Sequence, residues 1–73
     1  MNTIGKRIAL LREEMGMTVE QLAEKMHCNE EQIKAWESDE SLPHLLQFKP
    51  LAEALETTTD YLLGAKERKT SII

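Results

Sequence analysis

The 73-residue sequence is poor in the residues that staple a fold or build a chemical site: one cysteine, two histidines, three aromatics, three glycines and two prolines. Cys28 has no partner for an internal disulfide, and together with His27 and His44 it falls short of the four ligands of a structural zinc site. The expectation is a protein of a reducing cytoplasm with no metal. Met1 to Gly5 lacks the apolar run of a signal peptide, and no stretch approaches the roughly 20 apolar residues that span a bilayer. No membrane partner is expected. Cations are also scarce, nine Lys and Arg against thirteen Asp and Glu for a net charge of -4, which argues against general coating of phosphates but leaves room for a local basic face. A chain this short has room for one small domain and none for a large catalytic cleft. Its Ser, Thr, His and Cys residues show no nucleophile–base spacing, so no catalytic residue, cofactor or enzyme activity is predicted.

What the sequence does contain is helical periodicity. Ile4, Ile8, Leu11 and Met15 lie on one stripe, with Lys6, Arg7, Glu13 and Glu14 largely outside it, and Gly16 supplies a left-handed stop. Thr18-Val19-Glu20-Gln21 has the form of a capping box, followed by an apolar stripe of Val19, Leu22, Ala23 and Met26. Asn29-Glu30-Glu31-Gln32 repeats the capping pattern ahead of Ile33 and Trp36, and Asp39 to Pro43 reads as a loop. Leu45, Phe48, Leu51, Ala52 and Leu55 form a fourth stripe, which Pro50 should kink or restart. Thr57 to Asp60 caps a last segment, Tyr61-Leu62-Leu63, that stops at Gly64. No stretch alternates with the two-residue period of a strand, so the prediction is an all-α fold of five short helices over residues 1–64, followed by a flexible basic tail over 65–73.

Two helices of about two turns, joined by a three-residue turn and pinned by Ala23, Ile33 and Trp36, form a helix-turn-helix pattern. Ala23 is small where the second helix must cross closely. From Ile4-Gly5-Lys6-Arg7-Ile8 and Leu11-Arg12-Glu13-Glu14-Met15-Gly16-Met17-Thr18, through Gln21-Leu22-Ala23-Glu24-Lys25-Met26, Ile33, Trp36-Glu37, Leu42-Pro43 and Leu51-Ala52-Glu53-Ala54-Leu55, to Asp60-Tyr61-Leu62-Leu63-Gly64, the chain resembles the phage Cro/repressor, or Xre, helix-turn-helix family. The resemblance spans residues 4 to 64.

It implies a compact five-helix, lambda-repressor-like domain in a bacterial or phage transcriptional regulator, often a homodimer, that sets its third helix in the major groove of a double-stranded operator. Carried onto this sequence, the phosphate-gripping positions are Thr18 and Val19, and the base-reading helix offers Asn29, Glu30, Glu31, Gln32, Lys34 and Ala35. Gln32 and Lys34 are the best readers, and Lys6, Arg7 and Lys25 would add cations at the rim. Arg12 and Glu37 match a family ion pair, and Trp36 matches a core aromatic. Leu55, Tyr61, Leu62 and Leu63 either supply a dimer patch or close the core.

Several positions depart from the family pattern. Val19 stands where Gln is common, His27 where the turn prefers glycine, Cys28 where an apolar residue is usual, Asp39 at a usual glycine, and Glu40 where a cation is often found. Between His27 and Ser41 the acids Glu30, Glu31, Glu37, Asp39 and Glu40 face one cation, Lys34. Glu30 and Glu31 each meet phosphate with repulsion on the order of 1 kcal/mol, can instead accept from cytosine N4, and also offset the helix dipole. Two functions therefore stand side by side: an operator-binding repressor, and a protein-interaction module or anti-regulator of the same fold whose acidic surface has weakened or abolished DNA binding.

Overall fold

The computed structural model describes residues 3–64, and the predicted tail over 65–73 lies outside them. Five α-helices follow one another: α1 (Ile4–Glu14), α2 (Val19–Met26), α3 (Glu30–Glu37), α4 (Phe48–Ala54) and α5 (Thr59–Leu63), with a 3₁₀ turn at Leu45–Gln47 running directly into α4. No strand occurs among the described residues.

Short helices are marginal by themselves, and among the described residues all but α4 are capped at the N-terminus by a side chain. Thr3, Thr18, Asn29 and Thr58 hold extended N-cap conformations, and each accepts the N–H three residues on. At α2 the box closes in both directions: the Gln21 N–H donates to Thr18 Oγ1 (3.0 Å) and the Thr18 N–H to Gln21 Oε1 (2.9 Å). α1 stops at Glu14, so Met15 is its C-cap rather than part of the stripe, and Gly16 takes φ +72°. Pro50 neither kinks α4 nor restarts it. The helix begins two residues earlier, at Phe48, which places Pro50 in the first turn, where its missing N–H would have had no intrahelical acceptor.

Ile8, Leu11, Leu22, Ala23, Ile33, Trp36, Phe48, Leu51, Ala52, Leu55 and Leu62 make one core, with α1 and α2 both packed on α3 and α5 closing over α1 and α4. Leu55 and Leu62 are fully enclosed in it, so of the residues offered for a dimer patch only Leu63 is well exposed.

Two contacts fix how α1 crosses α3. At Gly5 the crossing is so close that a Cβ would meet the Trp36 carbonyl oxygen and lie 2.7 Å from that of Glu37. Arg12, from the far end of α1, clamps the same C-terminal end of α3: Nε donates to Glu37 Oε2 (2.6 Å), Nη2 to Glu37 Oε1 (3.2 Å) and Nη1 to the Met17 carbonyl (2.8 Å). Both side chains are largely enclosed, 13% and 14% exposed. The hydrogen bond to Glu37 raises the Arg12 pKa, against the opposing effect of burial and with Coulombic help from Glu37 and Glu13. A fork-to-fork pair of this kind is directional as well as strong.

Two stability outcomes follow. Gly5→Ala forces α1 off α3 and should cost about 2 kcal/mol or more in urea denaturation, whereas a gain from the better helix former would show that the crossing is loose. Glu37→Gln strands the guanidinium and should cost about 3 kcal/mol, while Arg12→Met with Glu37→Leu retains most of the wild-type stability. A double variant weaker than either single one would contradict that account.

Candidate nucleic-acid interface

α2, the turn His27–Asn29 and α3 form the helix-turn-helix. Its tight turn depends on His27, the C-cap of α2, which adopts the left-handed conformation (φ 58°) while its N–H bonds the Glu24 carbonyl (3.2 Å) and the Cys28 N–H bonds that of Ala23 (3.0 Å). The turn thus has the geometry that glycine would supply, held by a non-glycine residue at a strain of roughly 1 kcal/mol. Cys28 is half-buried and its burial pushes the thiol pKa up, so it stands there as a packing thiol.

The sequence-assigned residues separate into those whose side chains are committed and those presented outward. Val19 is half-buried against the core, so it offers only its backbone N–H outward. Thr18 is exposed, with its hydroxyl accepting from the Gln21 N–H. Asn29 is exposed too, its Oδ1 taken by the Gln32 N–H (2.9 Å), which leaves the amide NH₂ as a donor. Glu30, Glu31 and Lys34 are exposed on the first turns of α3, and Gln32 and Ala35 are half-buried beside them.

Gln32 differs from its counterpart in α2. Although the two cap sequences are alike, no return hydrogen bond forms to the Asn29 N–H, and the Gln32 side-chain amide is bonded to nothing among the described residues. The expected second capping box is therefore half made, and an amide with two donors and an acceptor is left at the tip of α3.

The acidity of this region is redistributed relative to the sequence tally. Glu37 is held by Arg12. Asp39, at φ 65°, reaches back to the start of α1, where Oδ1 accepts from the Gly5 N–H (3.0 Å) and Oδ2 from the Thr3 hydroxyl (2.6 Å). It is a second cap for α1, a role that sequence reasoning missed. The signal available was a chain-reversal position occupied by a residue that tolerates left-handed backbone and favours helix N-termini. Glu30, Glu31 and Glu40 remain outward. From α2, Glu20 and Glu24 join Glu30 around a shallow depression of about 320 Å³ floored by Ala23 and Cys28.

The other readings fall as follows. Trp36 is 1% exposed and so cannot stack on a base. The Arg7 guanidinium lies 5.9 Å from the centre of the Tyr61 ring, joining α1 to α5. Among the described residues no three His, Cys, Asp or Glu side chains stand close enough to share a metal ion, and no helix is long and apolar enough to cross a membrane.

With that geometry in hand, comparisons with known proteins are specific. A family model described as a helix-turn-helix domain matches residues 5–68. Among solved structures, the chain is similar to the P22 c2 repressor protein in its complex with synthetic operator 9T in the presence of Tl⁺: 26% identity, a TM-score of 0.85, 90% of this chain covered and 100% of that one. No curated protein matches. Fold, turn geometry and family match agree, and the chain belongs to the helix-turn-helix domain family, in its phage Cro/repressor type.

Proposed function

We propose that the protein is a sequence-specific DNA-binding transcriptional regulator, a repressor that works as a homodimer and sets α3 in the major groove of its operator. The observation that carries this proposal is the likeness, across 90% of the chain, to a repressor solved with its operator. Local chemistry supports it. After capping, the Val19 and Glu20 N–H groups at the start of α2 and those of Glu30 and Glu31 at the start of α3 have no intrahelical acceptor, which suits phosphate oxygens. The unbonded Gln32 amide matches the paired donor and acceptor of adenine, and Lys34 reaches guanine or phosphate. Ala35 offers a methyl to thymine, and Glu30 and Glu31 accept from cytosine N4.

One observation favours a second reading. Glu20, Glu24 and Glu30 surround the depression beside the turn, and this gathering of carboxylates suits a cationic protein segment better than a phosphate backbone. In that case the protein is an interaction module or anti-regulator of the same fold.

Fluorescence anisotropy over a salt series, with random duplexes and a site selected from them, separates the two. A repressor shows salt-dependent binding with a preference for the selected site, whereas no binding at low salt sinks the proposal. Gln32→Ala should weaken the selected site by about 1–3 kcal/mol and leave random DNA almost unchanged, and Lys34→Ala should lower the salt slope by about 1. Glu30→Gln with Glu31→Gln should raise affinity for random DNA about tenfold by removing two carboxylates that face phosphates. Lost binding to the selected site in that variant would make both carboxylates base readers.

A further inference from the structure

The turn that leads into α4 is closed by a histidine. The His44 N–H donates to Gln47 Oε1 (2.8 Å), the Leu46 N–H donates to His44 Nδ1 (3.1 Å), and the Gln47 N–H donates to the His44 carbonyl (2.8 Å). At α1, α2, α3 and α5 the capping acceptor is a threonine or asparagine oxygen, which accepts at any pH near neutrality. Here the acceptor is an imidazole nitrogen, and Nδ1 accepts only while it carries no proton.

The start of α4 leans on this box. α4 has no side-chain cap of its own, the 3₁₀ turn runs directly into it, and the Phe48 N–H bonds the Leu45 carbonyl. On the outer side of the turn, Leu45 and Leu46 are 76% and 79% exposed, so burial does little to hold them in place. The hydrogen bonds of a 3₁₀ turn are poor in geometry, and three residues have few others to fall back on.

The surroundings leave the imidazole free to titrate. His44 is exposed and takes its proton directly from water. Ser41 to Phe48 contains no Asp, Glu, Lys or Arg, and α4, the helix packed on the turn, carries one charge of each sign, Lys49 and Glu53. Among the described residues no carboxylate is ion-paired with His44, so no attraction offsets the hydrogen bond that the charged ring gives up.

We propose that the His44–Gln47 box is a pH-operated latch: protonation of the imidazole opens the 3₁₀ turn, frees Leu45 and Leu46 and unpins the start of α4. A proton on Nδ1 turns the acceptor into a donor pointed at the Leu46 N–H, and the bond re-forms when that proton leaves. Histidine changes charge between about pH 5 and 8, so mild acidification is enough. The latch operates whatever α3 binds.

Amide exchange with water, measured by NMR and divided at each pH by the rate intrinsic to the sequence, tests the latch on wild type, His44→Asn and His27→Asn. Asparagine at 44 keeps an acceptor that does not titrate. His27 is the other histidine, and asparagine tolerates its left-handed backbone. Both substituted side chains are exposed, and unchanged far-UV circular dichroism shows that the variants fold. Between about pH 8 and about pH 5.5, wild-type protection at Leu46 should fall about fivefold, as for the loss of one capping hydrogen bond, while Ile33 in the core stays protected. His44→Asn should keep its Leu46 protection throughout, and His27→Asn should respond as the wild type does. Wild-type protection at Leu46 that does not change with pH overturns the proposal, and so does an equal fall in His44→Asn. A fall shared by Ile33 overturns it as well, because the whole domain rather than the turn is then opening.

Discussion

The fold hangs on the guanidinium of Arg12. Its three nitrogens each donate one hydrogen bond, two to the carboxylate that ends α3 and one to the carbonyl of Met17, just before the cap of α2, so one side chain fixes where both helices of the helix-turn-helix stand relative to α1. Apolar burial supplies most of the driving force but is indifferent to rotation about a helix axis. Hydrogen bonds with a fixed fork geometry are not indifferent. Gly5 completes the constraint from the opposite end of α1 by letting backbone meet backbone. With the C-terminal end of α3 fixed from both ends of α1, the helix is held in one rotation and its first turns face one way.

The same economy governs the acids. A net charge of -4 looks like a property of the whole surface, yet in the region that would approach DNA the carboxylates divide by task. Glu37 is consumed by Arg12, and Asp39 caps α1 through two hydrogen bonds. What stays outward is narrower than the sequence tally, Glu30, Glu31 and Glu40 on the α3 side, but it is reinforced from α2 by Glu20 and Glu24. The conflict between a DNA-reading fold and a locally acidic face is thereby narrowed to fewer groups, of which Glu20, Glu30 and Glu31 stand in the first turns of α2 and α3.

Much of this was legible in the sequence because it is local. Apolar spacing of three and four residues located the first four helices, the Thr57–Asp60 cap and Gly64 bracketed the fifth, and Thr18 and Asn29 announced N-termini through side chains that act within three residues. Pro50 misled because the same residue breaks a helix interior and suits a first turn, and only the position of the preceding 3₁₀ turn decides between them. Leu55 and Leu62 read equally well as patch or core, a choice made by long-range packing. Asp39 was counted as a surface charge because its partners, Thr3 and Gly5, are more than thirty residues away.

The unlike treatment of Gln21 and Gln32 has a consequence for substitution. Gln21 is bound into the start of its helix, so replacing it disturbs the scaffold, but Gln32 occupies the equivalent place in α3 without contributing its amide to the fold. Within the DNA-reading proposal, a change at residue 32 alters what α3 offers a base edge while leaving the Asn29 cap in place, whereas a change at residue 21 opens the cap of α2.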